Sequence, residues 1–357
     1  MLYVQKYLQT HTLEELKDEF DIKYKLYDDR VILKYGIMSK PKFHPIVKEC
    51  RGLILSLPDY KVISRGFDRF FNYGEGDDKD DFDWDNCLVF NKLDGSLCKV
   101  YHDGVKWCVS TSGTAFAEGE TPMGKTYHDL FVEAIGGDLD DRFNLHRKHF
   151  TYIFELTSPE NRIVTRYHET KATLLGVRNN TTGDYLDYSI LKTELKHMSY
   201  TELVESYDIN NVDDVLKFVE GRDAMDEGVV LYDMGTQMRI KLKSSGYVAI
   251  HHLRGNEVTK KSIVTLLLKG EMDEYIAYFP EDGEMVQPYI DRFEELKDDI
   301  TNTYNEFKDI EDQKEFAMNV KDLEYSGFLF AMRKGMKLKD LLTVDRVNHV
   351  VKFFEEV

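Results

Sequence analysis

Asn91-Lys92-Leu93-Asp94-Gly95-Ser96 is a polar, glycine-bearing joint between two apolar, strand-like runs. Just downstream, residues 97–102 and 106–110 flank His102-Asp103-Gly104, which predicts a hairpin. Residues 152–156, 173–177, 228–232 and 238–242 are further short apolar runs. Asn179-Asn180-Thr181-Thr182-Gly183 and Asp233-Met234-Gly235-Thr236 read as turns between them. Helices are expected around 125–135 and 200–204, and Thr12-Leu13-Glu14-Glu15 has the pattern of a capping box. From about Val31 to Tyr247 the chain is thus mostly strand, without regular βαβ alternation. That predicts an α+β domain built on antiparallel sheets.

After about Gly255 the period changes. Ile290, Phe293, Leu296, Ile300, Tyr304 and Phe307 recur at spacings of three and four, one stripe of an amphipathic helix. Leu338, Leu341, Leu342, Val347, Val350, Val351 and Phe354 suggest another. The expected organisation is a strand-rich domain over residues 1–255 and an all-helical domain over 256–357. No internal repeat or low-complexity segment interrupts it.

The chain has 357 residues, of which 42% are hydrophobic, enough for one large domain and one smaller one. Cys50, Cys87, Cys98 and Cys108 lack Cys-x-x-Cys spacing, so reduced thiols are expected rather than zinc or a disulfide framework. Met1-Leu2-Tyr3-Val4-Gln5-Lys6 lacks the apolar core of a signal peptide, and no apolar run reaches membrane-spanning length. A soluble, intracellular protein is expected. The net charge of −18 opposes a nucleic-acid partner unless basic residues are focused in one groove. Lys40, Lys42, Lys48 and Arg51 form one such concentration, with Glu49 among them. Glu75, Asp77, Asp78, Asp80, Asp81, Asp83 and Asp85 form the opposite. That acidic run reads as a solvated loop; a calcium loop would need a different glycine spacing.

The Lys-x-Asp-Gly pattern at Lys92 is that of a lysine that becomes covalently attached to a nucleotide. Such an amine must be deprotonated to attack phosphorus, and cations must stabilise the charge that develops on the α-phosphate. Lys241 and Lys243 suit that task, because strand period two puts both on one face with Ile240 and Leu242 on the other. An exposed edge strand with solvated lysines is the alternative. Glu227, before Gly228 and an apolar run, can hold a divalent metal near phosphates, or be a strand-end surface residue. Glu155 interrupts the apolar Tyr152-Ile153-Phe154-Glu155-Leu156 and needs a partner, either a ribose hydroxyl or an internal arginine. Asp94 and Gly95 shape the loop that presents Lys92.

In this order, Lys92-Leu93-Asp94-Gly95, Glu155, Glu227-Gly228 and Lys241-Leu242-Lys243 resemble the covalent nucleotidyltransferase superfamily of ligases and mRNA capping enzymes. Glu49-Cys50-Arg51-Gly52, Arg69-Phe70-Phe71-Asn72, Pro159-Glu160-Asn161-Arg162-Ile163-Val164 and Lys243-Ser244 leading to Tyr247 look like the phage RNA ligase 1 family, the tRNA-repairing ligases of T-even bacteriophages. The similarity runs from about Tyr35 to Asp273. It implies an antiparallel-sheet nucleotidyltransferase domain, ATP-grasp-like, followed by an all-α domain. By resemblance, Lys92 is the adenylylated lysine. Tyr35, Arg51, Arg69, Glu155, Lys241 and Lys243 bind the nucleotide, Glu155 at the ribose and the two lysines at the α-phosphate. Glu227 and Asp273, the latter in Lys269-Gly270-Glu271-Met272-Asp273, are metal-linked. Phe71, Asp94, Gly95 and Tyr247 support ligation. The type member has lysine at the Arg69 position, which keeps the charge and changes the geometry. It also has lysine where Ser112 stands, so either another cation substitutes or steps after adenylylation differ.

The resemblance implies an ATP-dependent RNA ligase using Mg2+ or Mn2+. It would join RNA 5′-phosphate and 3′-hydroxyl ends through lysyl-AMP and RNA-adenylate, in repair of nicked tRNA, as a cytoplasmic monomer (in the host cytoplasm if phage-encoded). A DNA ligase or capping-type guanylyltransferase would carry a β-barrel after Lys243, where helices are expected. A non-catalytic RNA-binding relative would not need the full set of reactive residues. Arg333, Lys334, Lys337, Lys339 and Arg346 are a candidate tRNA surface or a solvated helical face.

Overall fold

Thr12 starts a helix as its sequence predicts. Its Oγ1 accepts from the Glu15 N–H at 3.2 Å, and Glu15 Oε2 accepts from the Thr12 N–H at 2.7 Å. Helices α1 (Tyr3–Tyr7) and α2 (Leu13–Phe20) lead into β1 (Ile22–Leu26) and β2 (Arg30–Tyr35). Then come α3 (Pro45–Glu49), β3 (Arg51–Ser56) and β4 (Val62–Ser64). These four strands form an antiparallel sheet in the order β1-β2-β3-β4. Leu16, Phe20, Val31, Leu33, Val47, Leu53 and Leu55 are buried between it and the helices. The computed structural model describes residues 1–36, 39, 41–75, 82–121, 123–195, 198–248 and 258–355. Lys40 and residues 76–81 of the acidic run lie outside them.

The chain continues through β5 (Phe71–Asn72), β6 (Cys87–Asn91), β7 (Ser96–His102) and β8 (Trp107–Ser110) to α4 (Tyr127–Ile135) and α5 (Leu139–Phe143). It then runs through β9 (Phe150–Thr157), β10 (Lys171–Asn179), α6 (Tyr188–Glu194), β11 (Glu202–Leu203) and β12 (Ser206–Tyr207). Helix α7 (Val212–Glu220) and the hairpin β13 (Gly228–Asp233) and β14 (Arg239–Lys243) follow. Two five-stranded sheets result, ordered β11-β10-β9-β7-β8 and β12-β6-β13-β14-β5. All pairings are antiparallel except β10 with β11 and β14 with β5. Lys92-Leu93-Asp94-Gly95 is the passage from β6 in one sheet to β7 in the other. That placement follows from the polar joint between two apolar runs, and it puts Lys92 where the two sheets meet.

Strand β9 is buried along almost its whole length on both faces, although Thr151, Glu155 and Thr157 share one of them, so it is covered on both sides. Phe131 and Phe143, from α4 and α5, pack with Tyr152 and Phe154 in the core of its sheet. Each ring buried there contributes roughly 2–3 kcal/mol. Val215 and Val219 of α7 cover Val229, Leu231 and Ile240 of the other sheet. The helix expected at 200–204 is absent. Glu202 and Leu203 instead pair in parallel with Thr173 and Leu174 of β10. The edge of β10 was available, and pairing there satisfies backbone groups that a single helical turn would leave open.

The chain divides into two units, Met1–Val248 and Ala249–Val357. The boundary expected after residue 255 falls near residues 249–257, which lie outside the described ones. The described part of the second unit is helical: α8 (Lys260–Lys269), α9 (Met272–Tyr278), α10 (Gly283–Phe307), α11 (Gln313–Val320), α12 (Ser326–Arg333), α13 (Leu338–Leu341) and α14 (Val347–Val350), with short 3-10 turns. The predicted stripe of α10 turns Phe293, Leu296 and Ile300 inward, and α10 packs on α8 and α12. No helix among the described residues is long and apolar enough to cross a membrane.

Candidate active site

Where the two five-stranded sheets meet there is a cavity of about 150 Å³ in the first unit. Its charged lining is Arg51, Lys92, Glu155, Glu227, Arg239, Lys241 and Lys243, and its apolar lining includes Phe90, Leu175 and Val230. Six of the residues singled out in the sequence therefore converge, although they span residues 51 to 243.

The backbone supports Lys92 from the hairpin side, where its N–H donates to Gly228 O at 3.0 Å. Its ammonium lies 2.7 Å from Glu227 Oε2, and Lys243 Nζ lies 2.9 Å from Glu227 Oε1. Glu227 is buried and holds both lysines, so it is no surface residue. On β14, Lys241 points to the same face and pairs with no carboxylate among the described residues. Its Nζ sits 4.9 Å from the Phe70 ring centre. Burial, then Arg51, Lys92 and Lys243, push Lys241 down to about 7. Glu155, on β9, has no hydrogen-bonded or ionic partner among the described residues, so the internal arginine considered from sequence is not there. Burial pushes it up to about 7, against the pull of Lys92 and Arg51.

Behind Lys92, Asp94 is a buried brace. Its Oδ2 accepts from the Val164 and Thr165 N–H groups at 2.7 and 2.8 Å, and its Oδ1 from the Tyr247 hydroxyl at 2.8 Å. With both oxygens occupied it shapes the loop. A Cβ at Gly95 would stand 2.4 Å from Leu156 O, so only glycine allows the loop to lie this close to β9. Tyr247 is buried, with its hydroxyl raised by that burial and by Glu227 and Asp94.

Other singled-out residues lie elsewhere. Arg69 stacks 4.3 Å from the Tyr35 ring centre and 5.3 Å from that of Phe71. These three form a group outside the cavity lining, and Arg69 Nη1 is buried without a hydrogen-bond partner. Asp273 is exposed on α9 in the second unit. Among the described residues no three His, Cys, Asp or Glu side chains form a metal-holding group. Glu155 and Glu227 beside Lys92 still offer carboxylate oxygens of the kind Mg2+ shares with nucleotide phosphates.

Arg239 was missed in the sequence. Its guanidinium carbon lies 4.4, 4.1 and 4.3 Å from the ring centres of Phe67, Tyr185 and Tyr232. The period that paired Lys241 with Lys243 extends back to Arg239 and could have found it.

A family model described as RNA ligase matches residues 49–247, and the chain belongs to that family. A protein of Autographa californica nuclear polyhedrosis virus, named as a bifunctional polynucleotide kinase/RNA ligase, is 30% identical over 99% of this chain and 54% of its own length. An RNA ligase of Rhodothermus phage RM378 is 24% identical, over 90% of this chain and 89% of its own. The chain thus spans about half the length of the first relative and most of the second. A solved Naegleria gruberi RNA ligase with ATP and Mn is 15% identical, with a TM-score of 0.44 over 53% of this chain and 59% of that one. That likeness is too slight to bear on the site.

Proposed function

We propose that the chain is an ATP-dependent RNA ligase whose first unit is an ATP-grasp-like nucleotidyltransferase domain. One observation carries the reading: Lys92 Nζ lies 2.7 Å from Glu227 in a cavity where Lys241 has no carboxylate partner among the described residues. In the first step the Lys92 amine forms a bond to the α-phosphorus of ATP, the bond to the β-phosphate oxygen breaks, and pyrophosphate leaves. Glu227 Oε2 is placed to take the ammonium proton. Lys241 and Arg51 supply positive charge to the phosphate oxygens, and Lys243 can join them once Glu227 is otherwise engaged. Glu155 and Glu227 would hold Mg2+ or Mn2+, which would neutralise phosphate charge when bound.

In the second step an oxygen of the RNA 5′-phosphate attacks the lysyl-AMP phosphorus, and the P–N bond breaks. In the third, the RNA 3′-hydroxyl attacks the activated 5′-phosphorus and AMP leaves. In this reading Tyr35, Arg69 and Phe71 meet the outer phosphates or the RNA end. The sugar hydroxyls of the nucleotide would supply Glu155 with the partner it lacks among the described residues. The physiological substrate in this reading is nicked tRNA, with the second unit favouring it. Lys334, Lys337, Lys339 and Arg346 are exposed there, whereas Arg333 packs on the Phe316 ring at 4.4 Å. A cytoplasmic monomer fits the reading.

The test is incubation with ATP labelled at the α-phosphorus, with Mg2+, followed by a denaturing gel. Acid-labile label on the protein is expected, far more from ATP than from GTP, and none after chelation. Equal labelling from GTP would convert the reading to a capping-type guanylyltransferase, and no label from either would end it.

A further inference from the structure

Strand β3 starts on an irregularity. Arg51 faces Lys34 and Leu53 faces Leu33, so Gly52 is the extra residue of a bulge in the β2–β3 ladder. Its φ is +73°, a conformation open to glycine at little cost. A bulge turns its flanking side chain to a new direction and leaves a carbonyl without a ladder partner. The Gly52 carbonyl accepts instead from the ammonium of Lys99 on β7.

Lys99 is an unusual residue to find there. It is 0% exposed and has no carboxylate partner among the described residues. Room for it is made by glycines. A Cβ on Gly66 would stand 2.7 Å from Lys99 Cδ, and one on Gly52 would stand 3.3 Å from Lys99 Nζ. That same Cβ would lie 3.0 Å from Ser112 Cα, so Ser112 walls the other side of the bulge. Burial, together with Arg51, pushes Lys99 down to about 7. A leucine or methionine would fill the space without that cost. Arg51, for its part, is weakly tethered. Its Nη1 reaches Asp68 O at 3.5 Å, and its guanidinium carbon lies 4.7 Å from the Phe70 ring centre. With anchors this loose, its aim into the cavity depends on the backbone beneath it.

We propose that Lys99 is a positioning residue: by holding the Gly52 carbonyl it fixes the bulge that turns Arg51 into the cavity, and so sets the affinity for the phosphates of the nucleotide. This rests on the ligase reading and adds to it a residue that never touches substrate.

The experiment compares wild type, Lys99→Met, Arg51→Gln and the double variant by rate of α-phosphate label transfer against ATP concentration. Lys99→Met should raise half-saturating ATP by about tenfold or more, with the rate at saturation within about twofold of wild type. Arg51→Gln should raise it at least as far, and the double variant no further, since both changes act through one guanidinium. Ser112→Lys added to Lys99→Met should recover most of the loss by offering an ammonium to the bulge from its other wall. Unchanged half-saturation in a folded Lys99→Met protein overturns the proposal. So does a double variant whose two effects multiply. Should the methionine protein fail to fold, Lys99→Leu removes the same donor and is read by the same criteria. Absence of label on the wild type would instead sink the ligase reading itself.

Discussion

The two ends of the cavity hold their cations by different means. Beside Lys92, the ammonium groups of Lys92 and Lys243 share the carboxylate of Glu227 at 2.7 and 2.9 Å. At the other end, Arg239 has three aromatic faces, those of Phe67, Tyr185 and Tyr232, and no carboxylate partner among the described residues. A carboxylate can be exchanged for a phosphate, because one anion replaces another at a cation. Ring faces hold a guanidinium in place without cancelling its charge. In the ligase reading the first end changes partners and the second stays still. Lys241, between them, has one ring, Phe70 at 4.9 Å, and no carboxylate partner among the described residues.

The largest effect expected from this contrast is at Lys92. Lys92→Ala should abolish covalent AMP attachment and the joining of unadenylylated RNA, since no other amine occupies that position. Folding should be nearly intact, because Glu227 keeps Lys243 as partner. Joining of pre-adenylylated RNA tests the point separately, because it bypasses the first two steps and should survive in part. Acid-labile label persisting on the alanine protein would break the comparison at its reactive end.

Lys241→Ala comes next. Removing the unpaired cation should cost about 3 kcal/mol of transition-state stabilisation, a fall of roughly a hundredfold or more in label transfer. The melting temperature near pH 7 should not fall, because the native state no longer buries an uncompensated charge. A large drop in melting temperature with activity preserved would return Lys241 to a structural role.

The reactive end was legible in the sequence because short-range spacing sets it. Lys92 sits at a joint between apolar runs, and Lys241 and Lys243 lie two apart on one strand. Glu227 immediately precedes the strand paired with them. Arg239 lies on that same strand, but what makes it distinctive is a cage from three separate segments, which no local period reports. The same period explains the fate of Arg69-Phe70-Phe71. Phe70 lines the cavity, and its two neighbours turn to the opposite side, toward Tyr35. Lys99 was invisible for the opposite reason. In Leu97-Cys98-Lys99-Val100-Tyr101 a lone lysine looks like the solvent face of a strand. Only the glycines at 52 and 66, distant in sequence, reveal that the space over it is closed. The helix expected at 200–204 failed because a neighbouring sheet edge outcompeted a five-residue segment.

The caged end should respond more mildly. Arg239→Met keeps an apolar stem among the rings and removes the charge. Loss of the ring contacts should lower stability by about 1–2 kcal/mol. Half-saturating ATP should rise by only a few-fold, a smaller effect than the loss of rate in Lys241→Ala, because a fixed charge away from Lys92 assists binding rather than bond formation. Chemical denaturation and label transfer measured together separate the two. A hundredfold loss of rate at saturating ATP would show that Arg239 acts on the reacting phosphate, and the division between a reactive and a rigid end would collapse.

The smallest effect expected is a pH dependence of stability, and it reports on the reactive end without any substrate. Glu155 has a native pKa raised to about 7 from 4.5, so between those values the folded protein holds a proton that the unfolded chain has released. Its contribution to stability is therefore present below about pH 4.5 and is lost as pH rises towards 7. Lys241 titrates in the complementary window. Its native pKa is lowered to about 7 from 10.5, so between those values the unfolded chain holds a proton that the folded protein has shed, and stability recovers as pH rises. Both groups are destabilising near pH 7 in the empty cavity, one as a bare carboxylate and the other as a bare ammonium. Glu155→Gln should thus gain on wild type as pH rises from about 4.5 to 7, then hold a constant margin. Lys241→Ala should hold its margin at and below about 7 and lose it as pH rises towards 10.5. Denaturant unfolding of the two variants at matched ionic strength gives both curves. If the glutamine curve runs parallel to wild type across the acidic window, Glu155 has a partner in solution that discharges it. The carboxylate would then not be waiting for a ligand, and the reactive end would be as settled as the caged one.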